Sequence, residues 1–306
     1  MQGSLFYGSG VALVTPFRGN RVDYDCLERL IDWQIEAETD ALIVLGTTGE
    51  PCTIAPSERS AIIECAVTRC AGRVPLYVGT GSNCTRTAIE QSIEAQRLGA
   101  DGLLVVTPYY NKASHRGLIE HYNAIADSVQ VPIIVYNVPG RTGLNLPPEV
   151  MLELAKHPLL CGFKEAGTNP AQTMRLFELL GEGIAIYSGN DDQVLPMMAM
   201  GARGVISVAA NVAPAQVHAM AMGWLRGEIS ACRRLQFSLL PLIRAMFSEI
   251  SPIPVKAALA MMGRIEDNLR PPLVPLDDVR RNALRLEMQR LGLIEGDEKP
   301  DARLQE

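Results

Sequence analysis

The chain reads as a (β/α)8 barrel followed by a short helical appendage. Short apolar runs, rich in β-branched residues, alternate with amphipathic stretches along the first 225 residues, and there are eight of each. The length of 306 residues accommodates one barrel, which takes about 250 residues, with some chain to spare. Polar strings rich in Gly, Thr, Asn and Tyr follow the runs, as they do where a parallel barrel gathers its chemistry. A doubly wound sheet is the alternative, but it would more often show five or six strands.

The predicted strands lie near 11–15, 41–46, 76–80, 102–107, 133–137, 160–164, 184–189 and 204–208. Asp23 is placed to cap a helix with Leu27, Leu30, Ile31 and Ile35 on one face. Ser57 with Glu58 opens the next, and Thr85, Ser114, Pro147, Pro170, Asp191 and Pro214 begin the others. Gly72, Gly99, Gly181 and Gly201 punctuate helix ends. Past Gly227 the alternation stops. Helices are expected over 233–247, 255–263 and 277–291, separated by Pro252, Pro254, Pro271, Pro272 and Pro275. The organisation is a barrel over 1–225, a three-helix appendage over 226–294, and a polar, acidic tail over 295–306 expected to be disordered.

Composition removes several function classes. A net charge of −6, with no cluster of Lys or Arg, argues against a nucleic-acid surface. The first residues, Met1 to Phe6, lack the basic and apolar regions of a leader, and no window has the 18 or more apolar residues of a membrane span. A soluble, cytoplasmic protein is expected. The seven cysteines form no C-x-x-C pair and read mostly as small buried residues in a reducing compartment. His115, His121, His157 and His218 stand far apart in sequence, without metal-ligand spacing, so no metal or cofactor is expected.

Lys164 ends the run Leu159-Leu160-Cys161-Gly162-Phe163-Lys164 and is one of five lysines in the chain. Burial disfavours an ammonium, and a lysine kept neutral is a nucleophile that condenses with carbonyls. The rival reading is a lysine just past the strand, snorkelling to water. Reading the strand ends in order gives Gly46-Thr47-Thr48-Gly49-Glu50, Gly79-Thr80-Gly81-Ser82-Asn83, Thr107-Pro108-Tyr109-Tyr110-Asn111, a string from Tyr136 to Gly143, Lys164-Glu165, and Ser188-Gly189-Asn190-Asp191. The first lacks the Gly-Lys-Ser/Thr of a phosphate loop, and the second has Cys84 where a dinucleotide fingerprint wants glycine. Backbone amides in the first could still hold a small carboxylate. Glu165 points to the other side of its strand and reads as structural.

The string from Gly46 to Glu50, the Tyr136-Asn137-Val138-Pro139-Gly140-Arg141-Thr142-Gly143 string and the strand-end lysine resemble the class I pyruvate-dependent aldolase family that includes N-acetylneuraminate lyase and dihydrodipicolinate synthase. The resemblance covers about 4–293, and Arg141, Thr47-Thr48 and Tyr109-Tyr110 point to its synthase branch. It implies a Schiff base between Lys164 and pyruvate, with Tyr136 as proton shuttle. It also implies a relay through Thr47 to Tyr136 and to Tyr110, the latter from a neighbouring subunit, and hence a homo-oligomer, a dimer of dimers. Thr48 would bind the pyruvate carboxylate, Arg141 the carboxylate of the second substrate, and Gly189 and Ile206 would lend backbone carbonyls. The implied reaction condenses pyruvate with L-aspartate 4-semialdehyde, in the diaminopimelate and lysine pathway. Its rivals are another pyruvate aldolase, a sugar-acid dehydratase, or a regulatory relative without chemistry. Family members inhibited by L-lysine bind it near the second and third strand ends. Asn83 and Tyr109 remain here as a possible remnant of that site, with Pro51, Pro56, Arg59 and Thr87 around them. Ser251 stands where relatives often carry asparagine, and Lys256, in a helical pattern, reads as structural.

Overall fold

The computed structural model describes residues 5–295. In chain order these form β1 (Gly8–Ala12), the hairpin β2 (Phe17–Arg18) and β3 (Arg21–Val22), α1 (Tyr24–Glu36), β4 (Ala41–Val44), α2 (Pro56–Cys70), β5 (Leu76–Gly79), α3 (Thr85–Leu98), β6 (Gly102–Val106) and α4 (His115–Ala126). The second half runs β7 (Ile133–Asn137), α5 (Pro139–Thr142), α6 (Pro148–Leu154), β8 (Leu160–Glu165), α7 (Pro170–Leu180), β9 (Ala185–Ser188), α8 (Val194–Ala199), β10 (Gly204–Ser207) and α9 (Pro214–Leu225). Three more helices follow: α10 (Ile229–Met246), α11 (Ile253–Met261) and α12 (Asp278–Arg290). Strands β1 and β4 to β10 close into a barrel in which every neighbouring pair is parallel, so the predicted (β/α)8 class holds.

From residue 41 onward the predicted strands begin within one residue of the observed ones. The first does not: β1 is Gly8–Ala12, not 11–15. Its glycines misled the reading, and packing explains them. A side chain on Gly10 would lie 2.7 Å from the Phe6 ring, and one on Gly8 2.2 Å from Asp40. Phe6 stacks on Tyr187 with ring centres 4.4 Å apart, and its carbonyl accepts from the Tyr187 hydroxyl at 2.6 Å. With Leu5, Tyr77 and Ile134 these residues fill the inside of the barrel, while a larger apolar layer packs between strands and helices. The two-residue strands β2 and β3 and the single-turn helix α5 carry too short a pattern to be read from sequence.

The capping residues act as expected. Asp23 accepts from the Cys26 amide, and Ser114 from that of Gly117. Helix α2 starts at Pro56 instead of Ser57, with Glu58 bonding back to the Ala55 amide. Asp191 opens a 3-10 turn before α8. Cys26, Cys70 and Cys232 are buried, Cys65 and Cys161 half-buried, and Cys52 and Cys84 exposed on the loops after β4 and β5, so fewer than expected are core residues. Of the acidic tail, all but Glu295 lies outside the described residues.

Candidate active site

The turn after β4 is shaped by backbone conformation. Leu45 (φ 56°) and Glu50 (φ 55°) are both left-handed, which costs a residue with a side chain on the order of 1–2 kcal/mol. Between them Thr47–Gly49 form a single 3-10 turn, closed by the Gly49 amide on the Gly46 carbonyl at 2.8 Å. Gly79, across on β5, is required here: a Cβ would meet the Leu45 carbonyl oxygen at 2.1 Å. This close approach accounts for the glycine string that superficially suggests a nucleotide loop. Thr48 is buried, and the first two amides of the turn, those of Thr47 and Thr48, are left over by its internal bonding.

Lys164 is 4% exposed. Its register partners are Tyr136 on β7 and Tyr187 on β9. The ammonium nitrogen lies 4.2 Å from the centre of the Tyr136 ring. Burial lowers the amine to about 7; buried Asp191 opposes that shift, and Arg141 adds to it. Tyr136 is itself buried, and the Thr47 side chain lies near enough to favour its ionised form. Burial pushes its phenol up to about 12, against the pull of Arg141 and Thr47. At neutral pH the site therefore holds an amine that is about half neutral beside a protonated phenol.

Gly189 leaves room for the lysine stem. A Cβ there would sit 3.1 Å from Lys164 Cε and 2.7 Å from the Ala166 methyl, while the Gly189 amide donates to the Glu165 carbonyl at 2.7 Å. Ile206 is fully buried on the inner face of the barrel. Glu165 faces away from the amine, as predicted for alternate strand positions. Its carboxylate accepts from Asn137 Nδ2 at 3.1 Å and from the Gly167 amide, which fixes the loop after β8.

A cavity of about 560 Å³ opens above Tyr136, with Thr47, Arg141 and Ser251 on its walls. Arg141 Nη2 donates to the Ser251 carbonyl at 3.0 Å, so the loop flagged by its serine meets the site through its backbone. Tyr109, Arg59, Thr87 and Pro51 line the same cavity; Pro56 lies outside it, at the start of α2. Arg59 is buried, donates to the Gly79 carbonyl and has an unpartnered Nε. Asn83, outside the cavity lining, is half-buried and holds Asn111 Nδ2 on its carbonyl at 2.9 Å. Tyr110 is 90% exposed and left-handed (φ 72°), and like Lys164, Thr48, Gly189 and Ile206 it does not line this cavity.

Two buried groups escaped the sequence reading. Asp191 accepts from Ser207 Oγ at 2.5 Å and from the amides of Val208 and Ala209, and its charge acts on Lys164. Glu50 pairs with Lys256 at 2.7 Å, both side chains being 1% exposed or less. An acid directly beyond a strand end was the only available hint for either. Among the described residues no cluster of three His, Cys, Asp or Glu could hold a metal, and no helix is long and apolar enough to cross a membrane.

A lysine lowered by burial against a buried phenol inside a parallel barrel suits imine chemistry with a carbonyl, and the relatives below are lyases of the class I aldolase type. Residues 5–291 match the Dihydrodipicolinate synthetase family, and the chain belongs to that family. It is 48% identical over 290 residues to a 4-hydroxy-tetrahydrodipicolinate synthase of Alkaliphilus oremlandii, covering 95% of this chain and all of the relative. The crystal structure of dihydrodipicolinate synthase from Thermotoga maritima is similar at a TM-score of 0.93 and 41% identity, over 95% of this chain and 100% of that one. The Acinetobacter baumannii enzyme, crystallised with pyruvate, is similar at 0.92 and 40% identity, over 94% and 99%.

Proposed function

We propose that the chain joins pyruvate, held as a Schiff base on Lys164, to L-aspartate 4-semialdehyde, giving 4-hydroxy-tetrahydrodipicolinate. The observation that carries this reading is the buried amine lowered to about 7 against Tyr136. The names of the relatives agree with it, as does the pyruvate bound to one of them.

The neutral amine adds to the ketone of pyruvate. Tyr136, still protonated, supplies the proton that lets water leave as the imine forms. The protonated imine is an electron sink, so a methyl proton can return to the phenolate, leaving an enamine. Its carbon attacks the aldehyde, whose oxygen takes the Tyr136 proton as the imine on Lys164 re-forms; the neutral amino group of the semialdehyde then adds to that imine carbon, and Lys164 leaves as the free amine as the ring closes. Thr47 steadies the phenolate by hydrogen bonding. The free amides and hydroxyl at Thr47–Thr48 suit the pyruvate carboxylate, and the Arg141 fork suits that of the semialdehyde. Gly189 leaves room for the Lys164 stem, and Ile206 is buried inside the barrel.

The exposed, left-handed Tyr110 serves a second copy of the chain in this reading, which makes the working form at least a dimer and, by family resemblance, a dimer of dimers. Turnover of the semialdehyde against N-acetylneuraminate and 2-keto-3-deoxy sugar acids decides the substrate. Preference for a sugar acid ends the proposal.

A further inference from the structure

The turn that carries Thr47 and Thr48 is anchored from beyond the barrel, chiefly by one buried side chain. Lys256, on α11, donates to Glu50 Oε1 at 2.7 Å and to the Thr15 carbonyl at 3.0 Å, and lies 4.1 Å from the centre of the Phe17 ring. Glu50 is the left-handed residue that ends the turn carrying Thr47 and Thr48, and its second oxygen accepts from the Arg270 amide at 3.2 Å. Thr15 grips the same turn from the other side, its hydroxyl donating to the Gly49 carbonyl at 2.8 Å. One ammonium thus meets both clamps on the turn, and the loop leading into α11 meets the site where Ser251 accepts from Arg141.

Stability alone does not account for such a pair. Desolvating two charges generally cancels much of their attraction, and well-packed apolar residues often serve as well. What the pair fixes is geometry, because it holds a bulky left-handed residue and through it the amides and hydroxyls of Thr47 and Thr48.

We propose that Lys256 is a positioning residue for the reaction: through Glu50 and Thr15 it sets the turn that receives the pyruvate carboxylate. This rests on the function proposed above. The wild-type enzyme is therefore first shown to form a borohydride-reducible pyruvate adduct on Lys164; failure there refutes that reading and not this one.

Lys256→Met keeps the stem and removes the charge, Glu50→Gln removes the anion and one of the two acceptor oxygens that Lys256 and the Arg270 amide use, and a Lys256→Met/Glu50→Leu double variant removes both charges. Each is checked for wild-type circular dichroism and assembly, then assayed for KM of pyruvate and for kcat. Misplacing the turn should raise the pyruvate KM about tenfold or more in every variant that folds, with the Lys164 adduct recovered at saturating pyruvate. The double variant should lose no more than the worse single one, since both break one link. A merely structural pair would lower the active fraction and kcat at unchanged KM. If Lys256→Met does not fold, the other two variants decide. Wild-type pyruvate KM in any folded variant lacking Lys256 overturns the proposal, and wild-type KM in Glu50→Gln with an unfolded Lys256→Met does so as well.

Discussion

Replacing Lys164 by methionine should make the protein more stable while removing its activity. The amine falls from the ordinary lysine value near 10.5 to about 7 because burial penalises its charge. One pKa unit is worth about 1.4 kcal/mol, so keeping this group costs the folded state about 4 kcal/mol at pH 7 and about 2 kcal/mol at pH 9. The sign follows from proton counts. Between pH 7 and 10.5 the unfolded lysine holds a proton that the folded one has released, so the wild type gains stability as pH rises through that window. Methionine has no charge to desolvate and similar length. Its removal of the cation leaves Asp191 with only Ser207 and two backbone amides as partners, which takes back part of the gain. A net advantage of about 1–3 kcal/mol at pH 7, narrowing toward pH 9, is expected. Urea denaturation at the two pH values measures it. Equal or lower stability of Lys164→Met at pH 7 would mean that the amine is held charged, and the basis of the nucleophile argument would be lost.

Tyr136→Phe should lower kcat about 10²- to 10⁴-fold, the usual worth of a positioned proton donor, with the adduct on Lys164 still detectable after long incubation. Gly189→Ala should fold but trap pyruvate poorly, because the added methyl presses on Lys164 Cε; wild-type trapping would count against the crowding seen there. L-Lysine at millimolar levels should leave initial rates unchanged, since its ammonium would meet the buried Arg59 guanidinium in the cavity that Tyr109 and Thr87 also line. Strong sub-millimolar inhibition would overturn that.

The barrel was legible because its strands are continuous apolar runs with polar strings at their ends, and Lys164 stood out as a charge inside such a run. β1 was misplaced since its identity lies in glycines that only the Phe6 plug explains. The 206 residues separating Glu50 from Lys256 hid their pairing: no local pattern links a turn after the second barrel strand to a helix beyond the barrel. Ser251 was noticed as a departure, yet its contact with Arg141 runs through the carbonyl, which every residue type possesses. The assignment of Tyr110 to a neighbouring subunit rests only on family resemblance, and its exposure and left-handed backbone give no sequence signal in a tyrosine.

The most direct test of the central claim is borohydride reduction in the presence of pyruvate, followed by peptide mass spectrometry. The account predicts one adduct, on Lys164, with a trapping rate that rises as pH passes through about 7 and levels off well below the ordinary lysine range near 10.5. An adduct on Lys112, Lys156 or Lys256 instead, or none at all, would contradict it.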